Sequence, residues 1–301
     1  MNKKILGVVM LAVAVLFGLQ ISMERLFSKR LELMQETMAE TETLEAAETE
    51  SPHIFAVFGI DQRSGDVGRS DCIMLASLDE AGTLRLCSIA RDTLVTIPGT
   101  GEETKLGHAY AMGGPELALS TLNDNFHLQL QDYVSVNFSQ MEELVDLLGG
   151  VEVQLTEAEW KYLGLPKPYL GLRRLNGEEA LRYSRIRSID SDDVRTSRQR
   201  KLVMAMLEEV KALPRTELPE LVVECMKLCR TNVDILTLMN MGKQVLTFGN
   251  GMESVSMALP GDTVTAWGGT RKDGVWYYVY DLQRAAQEID RFFYGTGDQT
   301  I

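Results

Sequence analysis

Tyr133-Val-Ser-Val-Asn137, Phe138-Ser-Gln-Met-Glu-Glu-Leu-Val-Asp-Leu-Leu148 and Val151-Glu-Val-Gln-Leu155 follow one another almost without a break. The first and last pieces are short, β-branched and apolar, as strands are. The middle piece repeats apolar residues at helical spacing. Strand, helix and strand in succession is the signature of an α/β layer structure.

Outward from this stretch the same alternation continues. Ile54-Phe-Ala-Val-Phe-Gly-Ile60, Cys72-Ile-Met-Leu-Ala-Ser-Leu78 and Leu84-Arg-Leu-Cys-Ser-Ile-Ala90 read as strands, and the Asp79-Glu-Ala-Gly82 turn makes the last two a hairpin. Pro115 to Phe126 has helical spacing through Leu119, Leu122 and Phe126, and Asn176 is an N-cap for a helix through Tyr183. Beyond residue 215 come further helices, the strand Trp276-Tyr-Tyr-Val-Tyr280 and a last helix from Asp281 to Phe293. Alternating elements imply one sheet covered on both faces. The expected fold is therefore an α-β-α sandwich with a mixed central sheet, in one domain spanning 53–294, with 295–301 as a tail.

The N-terminus sets the expected location. Residues 1–4 carry Lys3 and Lys4, and an apolar run covers 5–21. The run is short for a membrane span, but tilt or thinning accommodates it, and no Ala-x-Ala cleavage site follows. A single uncleaved transmembrane signal-anchor with its N-terminus in the cytoplasm is the expectation, because positive residues stay inside. Residues 22–52 form an acidic, Glu- and Ala-rich stalk, so the folded body is expected outside the cell at the cytoplasmic membrane.

The chemistry concentrates in Arg185-Ile-Arg-Ser-Ile-Asp-Ser-Asp-Asp-Val-Arg-Thr-Ser-Arg-Gln199. The chain carries a net charge of −13, yet residues 173–201 hold nine basic residues against five acidic ones. A local reversal of sign points to a discrete anion and argues against nucleic acid, which needs a broad basic surface. Arg185 and Arg187 point the same way in extended backbone. Arg195, Arg198 and Gln199 form one stripe on a helix that continues through Leu202, Met206 and Val210, with Asp192 or Asp193 capping its start. Guanidiniums converging on a helix N-terminus suit a phosphate or diphosphate. Asp190 and Asp192 are read as supporting residues.

Strand ends supply the rest: Gly59-Ile-Asp61-Gln-Arg63, Gly68-Arg69-Ser70-Asp71, Ile89-Ala-Arg91-Asp92-Thr93, and Lys105 before Gly107-His-Ala-Tyr110. Asp61 and Asp71 are the natural pair for a hard divalent cation, magnesium with manganese as the alternative, with Arg63 in support. Only His53, His108 and His127 exist, without paired spacing, which weighs against a zinc hydrolase. There is no Gly-x-Ser-x-Gly elbow and no P-loop. Cys72 and Cys87 could face each other across the hairpin, whereas Cys225 and Cys229 stand one helical turn apart and such pairs rarely bridge.

These pieces, in this order, resemble the LytR-CpsA-Psr family of bacterial cell-envelope proteins. The match continues through Ile97-Pro-Gly99, Gly113-Gly-Pro-Glu116, Leu148-Gly-Gly-Val-Glu-Val153, Leu175-Asn-Gly-Glu-Glu-Ala-Leu181 and Leu259-Pro-Gly261, and covers about 53–294. Ala90 stands where proline is common and Cys72 where threonine is common. The resemblance implies a phosphotransferase that moves a glycopolymer, such as teichoic acid or capsule, from a polyprenyl-pyrophosphate carrier to peptidoglycan. On that reading Arg69, Arg91, Lys105, Arg185, Arg187, Arg195, Arg198 and Gln199 hold the diphosphate, Arg69, Arg91 and Asp92 carry the catalysis with Asp92 as base, and the helices at 115–126 and 138–148 line a groove for the lipid. The alternatives are a pyrophosphatase using water as acceptor, and a non-catalytic regulator or lipid-binding module.

Overall fold

Strands rich in Val, Ile and Phe that are apolar on both faces belong in the middle of a covered sheet. That is where the N-terminal strands go in the computed structural model, which describes residues 52–62, 68–166, 171–271 and 274–295, the side chains of Asp192 and Asp193 apart. The expected span at 5–21, the stalk up to residue 51, Arg63 and the tail from 296 lie outside the described residues. Among the described residues no helix is long and apolar enough to cross a membrane.

The first strands are β1 (Phe55–Asp61), β2 (Arg69–Leu78) and β3 (Thr83–Ile89), followed by the short pair β4 (Leu94–Thr96) and β5 (Glu103–Lys105) and by α1 (Leu106–Phe126). Then come β6 (Asp132–Asn137), α2 (Phe138–Leu147), β7 (Val151–Leu155), α3 (Glu157–Leu163), β8 (Gly171–Leu175), α4 (Gly177–Ser184) and α5 (Asp192–Lys211). The chain closes with α6 (Leu218–Leu228), β9 (Arg230–Thr231), α7 (Ile235–Phe248), β10 (Glu253–Leu259), β11 (Trp267–Thr270), β12 (Trp276–Val279) and α8 (Leu282–Tyr294). The central sheet has six strands in the order β10-β3-β2-β1-β6-β9. It is mixed: β1 runs parallel to β6 and β10 to β3, while β2 is antiparallel to both neighbours.

Alternation along the strands divides the core. Ala56, Phe58, Ile73, Leu75, Cys87 and Ile89 face one side and pack with α1 through Leu106, Ala109, Leu122 and Phe126, and with α8 through Ala285, Ile289 and Phe293. Val57, Met74, Ala76, Leu84 and Leu86 face the other side, against Val203, Met204 and Leu207 of α5. Cys72 and Cys87 therefore lie on opposite faces. Cys72 is paired with Gly59 and Cys87 with Leu75, so they do not face each other, and all four cysteines are free.

The stretch that signals the fold class departs from expectation in one respect. β6 and α2 form as read, but β7 leaves the central sheet and pairs with β8 in a separate antiparallel ribbon. The reason is its pattern: Val151, Val153 and Leu155 are buried while Glu152 and Gln154 are exposed. Such a strand can bury one face only, and it does so in a second core with Val145, Trp160, Leu175, Tyr183, Ile186 and Leu202. Helix starts follow their caps. Asn137, Thr156 and Asn176 each close a reciprocal capping box, with Gln140, Glu159 and Glu179. The N-cap of α5 is Ser191, so Asp192 opens the helix instead of capping it. α1 starts nine residues ahead of Pro115, and non-helical Gly113 and Gly114 break it there (Gly114 at φ 72).

Leu122 has no exposed surface and joins α1 to the main core. Leu122→Ala is expected to lower stability by about 2–5 kcal/mol, read as a shifted midpoint in urea unfolding.

Candidate active site

One irregularity in the β1–β2 ladder organises the site. Gly59 pairs with Cys72, but the next residue, Ile60, pairs with Ser70, so the register passes over Asp71. A bulge of this kind re-aims the extra side chain. Gly59 permits the close pairing, because a Cβ there would fall 2.8 Å from that of Cys72. One step on, Asp61 stands opposite Arg69. The bulge thus gathers Asp61, Arg69 and Asp71 at one end of the sheet.

The loop after β3 brings the next groups to the same place. The N–H groups of Leu106 and Gly107 donate to the carbonyls of Thr93 and Arg91 at 2.9 Å each, seating the first turn of α1 on that loop. Gly107 is required there, since a Cβ would come 2.8 Å from the Ser70 carbonyl oxygen. Arg91 donates to Asp71 and lies 3.6 Å from Asp92. Lys105 at the end of β5 holds the other oxygen of Asp92 at 2.7 Å. From the far side Arg187 reaches Asp71 at 3.1 Å. One carboxylate thus joins arginines that lie 96 positions apart in the chain.

These groups form the polar end of a single cavity of about 600 Å³. Its lining includes Asp61, Arg69, Asp71, Arg91, Arg185, Arg187, Arg195 and Gln199, and then turns apolar through Val57, Met74, Val136, Phe138, Met141, Leu181, Leu202 and Val203. Arg185 marks the boundary, its guanidinium 4.0 Å from the centre of the Phe138 ring. A cation on an aromatic face is held without losing its outward hydrogen-bonding edge. Cys72 also lines the cavity, and burial pushes its thiol up to about 12, so it is an apolar wall residue and no nucleophile. The arrangement suits an amphiphile with a multiply charged anionic head.

The structure thus brings Asp61, Arg69, Asp71, Arg91, Arg185, Arg187, Arg195 and Gln199 to one cavity. Asp92 and Lys105 are not among its lining residues; Asp92 pairs with Arg91 on one side and with Lys105 on the other. Arg198 is a correction: it does not line the cavity. Although it shares a helix face with Arg195, it is drawn to partners outside the cavity: at 2% exposure it donates from Nε to Glu159 at 2.7 Å, from Nη1 to the Ile186 carbonyl at 3.3 Å, and to both oxygens of Asp190. It holds the segment bearing Arg185 and Arg187 from behind, and Asp190 serves it rather than a ligand. The helix at 115–126 is also displaced from its expected role, since it packs on the opposite face of the sheet; α2, α4 and α5 close the cavity. Glu159 and Phe138 were missed. Glu159 announces itself only as the last residue of the Thr156-x-x-Glu159 capping box, and nothing local to Phe138 places it over an arginine.

Burial pushes the Glu159 carboxyl up, but the Thr156 N–H and Arg198 outweigh it and hold it below its ordinary 4.5. Its contribution to stability is present above pH 4.5 and is lost as pH falls through 4.5 toward the lower folded value. Glu159→Gln is expected to flatten that acid limb in urea titrations at stepped pH. Arg198→Met, which strands two carboxylates, is expected to cost about 3–5 kcal/mol.

Comparison with known proteins follows the same outline. The sequence profile of the LytR_cpsA_psr family matches residues 22–292. A polyisoprenyl-teichoic acid–peptidoglycan teichoic acid transferase TagU from Enterococcus faecalis is 34% identical over 227 residues, 70% of this chain and 73% of that protein. TagU from Bacillus cereus is 30% identical over 256 residues, 83% of this chain and 80% of that protein. Among solved structures, TagT bound to LI-WTA superposes with a TM-score of 0.66 at 25% identity, covering 83% of this chain and 94% of TagT. TagT with bound octaprenyl pyrophosphate lipid gives 0.62 at 25% identity, with the same 83% and 94% coverage. With its profile matched over most of its length, this chain belongs to the LytR_cpsA_psr family.

Proposed function

We propose that this protein transfers a phosphate-linked glycopolymer from a polyprenyl-pyrophosphate carrier to a sugar hydroxyl of peptidoglycan. The observation that carries the reading is the two-part cavity, with arginines at one end and an apolar interior at the other. A polyprenyl pyrophosphate has the same division between head and tail. TagU relatives are teichoic acid transferases, and TagT binds octaprenyl pyrophosphate.

Arg69, Arg91, Arg185, Arg187 and Arg195 grip the two phosphoryl groups, and Gln199 donates from the side. In the transfer the acceptor oxygen forms a bond to the phosphorus that carries the polymer. The bond from that phosphorus to the bridging oxygen breaks, and polyprenyl phosphate leaves with the electron pair. Asp92, fixed by Lys105 and Arg91, takes the acceptor's proton. Phosphoryl transfer depends mainly on positioning and charge stabilisation, which fixed guanidiniums provide.

Asp61 and Asp71 line one cavity from adjacent strands, a carboxylate pair suited to magnesium shared with phosphate oxygens. Among the described residues no group of three or more such ligands exists, so the remaining positions would fall to substrate oxygens and water. Bound there, magnesium would neutralise charge on the diphosphate. The apolar run at 5–21 would anchor the chain, with the folded body on the outer face of the cytoplasmic membrane where the lipid carrier and peptidoglycan meet.

Labelled lipid-linked polymer incubated with the full chain and peptidoglycan tests the reading. Label entering wall material supports transfer, whereas label released as free phosphorylated polymer assigns hydrolysis instead. Arg195→Ala is expected to lower the transfer rate by about 2–4 kcal/mol of transition-state stabilisation. Chelation of divalent ions should abolish wild-type transfer, and Asp71→Asn should raise the magnesium concentration needed to restore it.

A further inference from the structure

Two helix ends meet where the cavity changes from charged to apolar. Phe138 is the first residue of α2 and Arg185 the C-cap of α4, and both line the cavity. The guanidinium lies 4.0 Å from the centre of the ring. One turn on from Phe138 and one turn back from Arg185, the two helices show the cavity apolar side chains, Met141 and Leu181. The pair therefore stands at the same transition on both helices.

Local devices hold these two ends together. Asn137, paired with Ile60 in the sheet ladder, closes its capping box with Gln140 through bonds of 3.0 and 2.8 Å, which fixes the backbone entering Phe138. At the start of α4 the Gly177 N–H donates to Asp146, near the end of α2, at 2.8 Å. A Cβ on Gly177 would fall 2.3 Å from the Glu142 carbonyl oxygen, so the glycine lets the helices approach closely. Arg185 also differs from Arg91 and Arg187 in what balances its charge. Those two pair with Asp71, whereas among the described residues no carboxylate pairs with Arg185. The ring face orients it and leaves its charge to a ligand.

We propose that Phe138 is a positioning residue that couples recognition of the diphosphate to recognition of the chain attached to it: its face holds Arg185 on the diphosphate, and the first prenyl unit lies against the same ring. The proposal deepens, and rests on, the reading of the cavity as a polyprenyl-pyrophosphate site. Arg185 covers one part of a half-buried ring, and the part that lines the cavity continues into Met141 and Leu181. A diphosphate gripped by Arg185 would thus hand its first apolar carbons to an apolar surface with no polar gap between, so that tail burial adds to head binding. The two roles are chemically separable. F138L keeps apolar bulk but removes the π-face, and F138A removes both.

The test uses the full chain in detergent, titrated with inorganic pyrophosphate (the head alone) and with octaprenyl pyrophosphate, for F138L, F138A and F138Y in the wild-type and R185M backgrounds. For inorganic pyrophosphate, F138L and F138A are each expected to weaken binding about fivefold, F138Y to retain it, and none to matter once R185M is present. For octaprenyl pyrophosphate, F138A is expected to bind about tenfold more weakly than F138L in both backgrounds. Pyrophosphate binding by F138L equal to wild type overturns the proposal. So does a loss of the same size in the R185M background, which would make Phe138 a general support of the fold, and so does octaprenyl pyrophosphate binding that is equal for F138A and F138L. If the dependence of Arg185 on Phe138 holds for inorganic pyrophosphate while the wild type fails to bind octaprenyl pyrophosphate, the positioning of Arg185 stands and the polyprenyl-carrier reading falls.

Discussion

A buried guanidinium carries much of this architecture. Arg198 sits at 2% exposure between Glu159 and Asp190 and also donates to the carbonyl of Ile186. A charge in such a place is tolerable only when its donors are met, and an incomplete set would be costly. The consequence is positional. Glu159 belongs to the first turn of α3, Asp190 and Ile186 to the segment between α4 and α5, and Arg198 to α5. Fixing these together fixes Arg185 and Arg187, whose side chains reach forward into the cavity while Arg198 holds their backbone from behind.

The second constraint is the separation of charge from grease within one cavity. The bulge at Asp71 and the seating of α1 on the Arg91 loop concentrate polar groups at the sheet end. The sheet face beneath is lined by Val57, Met74 and Cys72 and closed by α2, α4 and α5. Phosphate groups beside the arginines would meet preoriented cations, and an isoprenoid tail would leave water for apolar walls. An acidic chain with net charge −13 thereby keeps one strongly cationic pocket, since only the local field decides what enters.

Local patterns carried a great deal in this protein. Strand alternation, helical spacing and capping residues placed most elements, because each depends on neighbours within a few positions. The Arg185–Gln199 stretch announced a local concentration of arginines, and its reversal of charge needed no coordinates to be seen. Family membership was equally legible in the order of short motifs around Asp61, Asp71, Arg91 and Lys105.

Tertiary structure decided what side-chain direction decides. Arg195 and Arg198 are three residues apart and chemically identical, yet one lines the cavity and the other is locked behind it, because α5 has a sheet on one side and α3 on the other. β7 looked like a strand of the main sheet and became half of a ribbon, since its exposed Glu152 and Gln154 allow burial of one face only. Of the two helices expected along the apolar groove, the one at 138–148 lines the cavity with α4 and α5 while the one at 115–126 covers the opposite face, because the sheet face that each helix covers is set by packing across the whole chain. Sequence determined which elements form and that arginines gather toward one site of an acidic chain. Which arginines face it, and beside which apolar walls, was left to long-range packing, whose partners no local window contains.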